Sequence, residues 1–147
     1  MTITELNNFL ESNCGITMDV IRNQSAENPL PIRSFFFKPY ESKTDPLYRA
    51  ATVMTAPLAF TAVAAECALF SILYAFKSIV DLAALDITSS RANLSGSLYF
   101  LTATAAALCI AVISPLLNAI DLIGAGISTL YQDSDEEENQ ASQVLSV

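Results

Sequence analysis

The 29 residues from Ala92 to Ile120 carry no charge, and that run constrains the chain more than any other stretch. A helix of that length, at a rise of about 1.5 Å per residue, reaches roughly 44 Å, more than the hydrocarbon thickness of about 30 Å. It reads as a membrane helix. A second apolar run, Ala50 to Phe76, is interrupted by one charge, Glu66. Together they predict an all-α chain whose centre is a two-helix antiparallel hairpin, transmembrane or membrane-embedded. Short N-terminal amphipathic helices precede it and a disordered acidic tail follows. The predicted segments are 1–27 for the short helices, 28–46 for a Pro/Phe-rich linker, 47–131 for the hairpin with its turn near 86–97, and 132–147 for the tail.

Apolar residues make up 52% of the chain and charged residues 15%, with the apolar ones gathered between 46 and 131. A soluble domain spreads them at helix or strand periods over its whole length. The formal charge of −8 with seven basic residues argues against nucleic acid as a partner, since phosphates call for clustered Lys and Arg. Cys14, Cys67 and Cys109 are odd in number and far apart, so they suggest buried free thiols and neither a disulfide framework nor a metal site. The N-terminus lacks the basic start and apolar core of a secretory signal.

Along the chain, Thr2 and Glu5 have capping-box spacing, and Ile3, Leu6, Phe9 and Leu10 repeat at helical intervals up to Gly15. A second short piece follows through Met18, Val20 and Ile21. Four of the six prolines lie between 28 and 46, which predicts an extended linker. Within it Phe35, Phe36, Phe37 and Tyr40 suit either anchorage at a membrane interface or packing on the helices. Asp45 and Pro46 mark the start of the first long helix. Pro57 inside it predicts a kink or restart, and Pro115 a kink or end in the second helix.

Small residues recur at steps of three and four on one face of each run. Thr61, Ala64, Ala68, Ser71, Ala75 and Ser78 form the first face. Ala103, Ala107 and Ala111 begin the second, which continues through Ser114, Asn118, Asp121, Ala125 and Ser128. Such faces let helix backbones approach closely, in lipid or in an Ala-rich soluble bundle. Glu66 lies opposite the first face. An ionised acid at mid-membrane costs on the order of 2.5–3.5 kcal/mol, so Glu66 is read either as a proton or ion path or oligomer contact, or as one hydrogen bond to a packed segment. Asp121 reads as wetted or capping. Basic residues before the first span outnumber those at the turn, which favours both termini on the cytosolic side.

Beyond Tyr131 the tail carries Asp133, Asp135 and Glu136 to Glu138, then small polar residues, then Val144 and Leu145. A glutamate block followed by a terminal apolar pair resembles the C-terminal translocation signal of effectors exported by the Dot/Icm type IVB secretion system of Legionella. The resemblance covers about 16 residues and marks Glu136, Glu137, Glu138, Val144 and Leu145 as the signal. It implies synthesis in a bacterial cytoplasm, recognition by the secretion apparatus or its adaptor, and delivery to a host membrane, where a host protein is the partner. Inclusion-membrane proteins of chlamydiae look similar in having two apolar lobes, but their signal is N-terminal.

There is no histidine, which removes the commonest general base and metal ligand. Gly124 and Gly126 form a lone GxG within an apolar helix, a close-packing or cap feature rather than a phosphate cradle. No cofactor, metal or catalytic residue is expected, and an enzyme is not expected. The leading expectation is a non-enzymatic, membrane-inserted effector that displays its N-terminal region to host cytosolic partners. A small oligomeric pore-forming or holin-like protein and a soluble all-helical interaction domain are the alternatives.

Overall fold

The structure is a computed structural model that describes residues 3–31 and 36–144, with side chains over 4–31 and 36–132. Four helices follow one another: α1 (Ile3–Cys14), α2 (Ile16–Gln24), α3 (Asp45–Ala83) and α4 (Ile87–Val144). The described residues are helical or irregular, so the all-α expectation holds, with two long apolar helices after two short ones. α3, and α4 through Gln132, are each long and apolar enough to cross a membrane. Two compact units divide the chain. One takes the residues up to Ala56 together with those from Ser114 onward, and the other is Pro57–Ile113.

The division cuts α3 beside Pro57 and α4 beside Pro115. Each proline lacks the amide that would bond the carbonyl four residues back, yet each lies inside a continuous helix. The expected restart or end does not occur. A missing bond costs about 3 kcal/mol or more, and a long helix whose other bonds remain absorbs it. In α3 the Thr61 hydroxyl donates to the Pro57 carbonyl at 2.7 Å, one turn beyond the proline.

In Pro57–Ile113 the two helices run antiparallel and are bracketed by serines. The Ser71 and Ser97 hydroxyls each donate to the other's backbone carbonyl at 2.9 Å. Ser78 and Ser90 do the same at 2.8 and 2.9 Å. The brackets are seven residues apart on both helices, a heptad repeat that fixes register. Asn93 adds a bond to Asp81 at 2.5 Å. Hydroxyls can reach the opposite backbone only where side chains are small enough for the helices to close up.

The turn is far shorter than the expected 86–97. Asp86 N–H bonds the Asp81 carbonyl at 2.9 Å and Leu85 N–H the Leu82 carbonyl at 3.0 Å. This is a Schellman closure with Leu85 at φ 63°, where glycine is the usual occupant. Asp86 then caps α4: its carboxylate accepts the Ser89 amide at 3.0 Å, which holds its pKa below the ordinary value. Ser90, Asn93 and Ser97, read from sequence as turn residues, lie buried in α4. Hydroxyl-rich composition signals a loop in water, but these side chains are satisfied across the helix pair.

At the other end of α4 the helical backbone is described through Val144, into the acidic segment that the sequence marks off from 132. A helix already formed at Leu130 extends without a new nucleation step, and Gln and Glu sustain it.

Candidate functional site

The unit comprising residues up to Ala56 and from Ser114 onward is organised about a buried acid, Asp121. On α4, Ser114, Asn118, Asp121 and Ala125 share one face at steps of three and four, and all are buried. Arg49, one turn into α3, donates from Nη1 to Asp121 Oδ2 at 2.8 Å and from Nη2 to Asp45 at 3.3 Å. The Phe37 amide donates to Asp121 Oδ1 at 2.9 Å. Both carboxylate oxygens are therefore engaged, the condition under which a buried charge is tolerated. Asp121 is neither wetted nor a helix cap, contrary to expectation, because Arg49 and the linker amide replace water around it.

The same contact seats the linker on α4. Phe37 adopts φ 61°, an uncommon conformation for a side-chain-bearing residue, and its ring lies against the bare backbone of Gly124. Tyr40 donates from its hydroxyl to the Leu122 carbonyl at 2.7 Å, and its amide donates to Thr129 at 2.9 Å. The Arg49 guanidinium stands 5.4 Å from the centre of the Tyr40 ring, within cation–π range. A Cβ at Gly126 would meet the Tyr40 hydroxyl at an ordinary 3.4 Å, so Gly124 is the glycine of the lone GxG whose missing side chain makes room for a ring. Of the two roles open for these aromatics, the structure has Phe37 and Tyr40 packed against α4 and Phe36 buried; Phe35 lies outside the described residues.

Gly15 joins α1 to α2 at φ 51°. A Cβ there would stand 2.8 Å from Thr52 Oγ1 and 3.0 Å from Asn118 Oδ1. Asn118, 2% exposed, donates from Nδ2 to Thr17 Oγ1 at 3.2 Å and to the Thr52 carbonyl at 3.3 Å. Its Oδ1 has no partner. These groups open onto a cleft of about 380 Å³ whose lining also includes Glu11, Asp19, Arg22 and Lys38. Arg22 and Glu11 pair across α1 and α2. Burial raises the Asp19 pKa, against the opposing pull of Arg22 and Lys38.

Of the residues assigned from sequence to helix packing, Ala64, Ser71, Ala107 and Ala111 are buried, and Ala68, Ala75 and Ala103 half-buried. Thr61 is exposed, turned off the seam to bond its own helix at Pro57. Glu66 is exposed among large apolar neighbours such as Leu69 and Leu73. The backbone of Glu136, Glu137, Glu138 and Val144 belongs to α4, and Leu145 lies outside the described residues. Among the cysteines only Cys14 is fully buried, where desolvation raises its pKa to about 11; Cys67 is half-buried and Cys109 exposed. No group of His, Cys, Asp or Glu suited to a metal occurs among the described residues.

Sequence reasoning missed Arg49 as the partner of Asp121, and the Asn118–Thr17–Thr52 cluster. Nothing local in the sequence links residues 72 positions apart. The heptad spacing of Ser90, Ser97, Thr104 and Ala111, by contrast, was available as a signal for the seam within Pro57–Ile113. Comparison with known proteins finds no family model, no curated protein and no solved structure that matches the chain.

Proposed function

We propose that this chain is a non-enzymatic effector which embeds its two long helices in a host membrane and displays its N-terminal region to cytosolic partners. The observation carrying the membrane part is an inversion of the usual burial pattern. Within Pro57–Ile113 the buried set includes Ser71, Ser78, Ser90, Asn93 and Ser97, while Leu69, Ile72, Leu73, Phe76, Leu101 and Val112 are 55–77% exposed. Water favours the reverse, whereas lipid accepts large apolar side chains and leaves hydroxyls to pair between helices. Along α3, Arg49 and Lys77 are 28 residues apart, about 42 Å of helix, close to a bilayer with its headgroup regions at about 40–45 Å.

Delivery rests on the tail resemblance alone: the glutamates at 136–138 with Val144 and Leu145. Alkaline carbonate extraction of host membranes expressing the chain tests insertion. Retention in the pellet is expected, and recovery wholly in the soluble fraction ends the reading. Removing the last 16 residues should abolish export from the bacterium, and undiminished export removes the tail from the argument.

A pore-forming assembly is the second reading, favoured by Glu66. It is exposed midway along an apolar helix, where a carboxyl calls for a partner or a water path. Dye release from liposomes by the purified chain, lost in Glu66→Leu, would replace the first reading with this one.

A further inference from the structure

Besides its seam with α4, α3 carries a second row of evenly stepped residues. Ala62, Ala65, Leu69, Ile72, Phe76 and Ile79 follow one another at alternating steps of three and four, the a/d repeat of a helix that meets another along its length. None of the six is covered: the four large ones are 63–66% exposed, and both alanines are exposed. An apolar row alone suits lipid as well as a partner, but two polar groups set this one apart. With Ala62 as a and Ala65 as d, Thr61 takes the g position and Glu66 the e position, on either side of the row where its side chains are smallest. Glu66 is exposed, and no hydrogen bond or ion pair engages it among the described residues. Thr61 is exposed as well, and its hydroxyl gives its proton to the Pro57 carbonyl at 2.7 Å, which leaves the oxygen as an acceptor.

We propose that α3 pairs in parallel with α3 of a second copy of this chain along this row, the Glu66 carboxyl of each copy bonded to the Thr61 oxygen of the other. The pairing rests on the membrane reading. Copies inserted in one direction run parallel, and a two-fold axis along the membrane normal brings identical faces together in register. In a parallel pair a g residue lies across from the e residue five positions further along the other helix, and Thr61 and Glu66 are five positions apart. The axis makes that contact twice. In its uncharged form a carboxyl has one O–H to give, and Thr61 offers the acceptor. Alanine at both central positions lets the backbones come close enough for side chains this short to meet. A lone carboxyl facing hydrocarbon is costly, and the second copy supplies the partner that the chain's own fold withholds.

Energy transfer between two full-length preparations, labelled with donor or acceptor at the N-terminal amine and reconstituted together into phosphatidylcholine vesicles, provides the test. Transfer is expected to fall on dilution with lipid and to rise linearly with the acceptor fraction. Ala65→Leu should weaken association about tenfold or more, the equivalent of about 1.4 kcal/mol, while Ala105→Leu, at an exposed position of α4, leaves it unchanged. Glu66→Leu and Thr61→Val should each weaken it about threefold or more, with the helical content unchanged and the two together no worse than either alone. Glu66→Gln keeps an N–H donor and should hold the pair. Carbonate extraction of the same vesicles reports insertion separately: an extracted chain overturns the membrane reading and the pairing with it. An inserted chain that shows no transfer, a curved dependence on acceptor fraction, equal effects of Ala65→Leu and Ala105→Leu, or indifference to both Glu66→Leu and Thr61→Val overturns the pairing alone.

Discussion

The two units both bury polar side chains, but of different kinds. Around Asp121 the polar interior is ionic and draws on distant segments: Arg49 from α3, the Phe37 amide from the linker, and Thr17 of α2 on Asn118. In Pro57–Ile113 it is neutral, a ladder of hydroxyls and carbonyls between two helices. An ion pair needs several partners to offset desolvation and therefore gathers irregular chain about it. Hydroxyl brackets need only a close backbone, so they suit a plain helix pair with an apolar exterior. One interior fixes a tertiary knot and the other a register.

The sharpest way to break this contrast is Asp121→Ala, which leaves an Arg49 guanidinium that is 17% exposed with Asp45 as its one carboxylate partner and takes the acceptor from the buried end of the Phe37 amide bond. A loss of about 3–5 kcal/mol is expected for a buried pair broken on one side, measured by denaturant titration in micelles. A loss under about 1 kcal/mol would class the pair with surface ion pairs. Next comes the neutral seam. Ser71→Leu forces bulk between closely packed helices and should cost about 1–3 kcal/mol, whereas Ser71→Ala should cost only about 0.6–1.7 kcal/mol. Equal effects would mean that the hydroxyls and not the close approach hold the pair.

Leu85→Gly works in the opposite direction, relieving a left-handed conformation at φ 63° and raising stability by about 1 kcal/mol. No gain would show that the turn is held open to other conformations. The smallest effect concerns pH. Because the Ser89 amide and hydroxyl favour ionised Asp86, its folded pKa lies below the ordinary 3.8. Its contribution is therefore complete above that value and fades as pH falls through the lower folded one. Asp86→Asn keeps a capping oxygen, so acid titration of helix content should show that slope vanish while neutral-pH stability changes little.

Much of the fold was legible because helical spacing and apolar runs are local signals. The breaks at Gly15 and the start near Asp45 followed from single residues, as did the small-residue faces at Ala64, Ser71, Ala107 and Ala111. Thr61 fitted the spacing but not the seam, since a step pattern of three and four drifts around a helix. Ser90, Asn93 and Ser97 were hidden by their resemblance to loop residues. The Asp121 network was not legible at all: the ion pair joins residues far apart in sequence, and Gly124 gains meaning only once the Phe37 ring is known to lie on it.

The serine brackets also invert which substitutions the hairpin can absorb. A mutational scan of Pro57–Ile113 should tolerate exchanges among Leu, Ile, Phe and Val on the outside and punish any added methylene at positions 71, 78, 90 and 97. In a water-soluble bundle the interior accepts such exchanges and the exterior rejects grease. The tolerance map alone would thus identify the solvent in which this helix pair evolved.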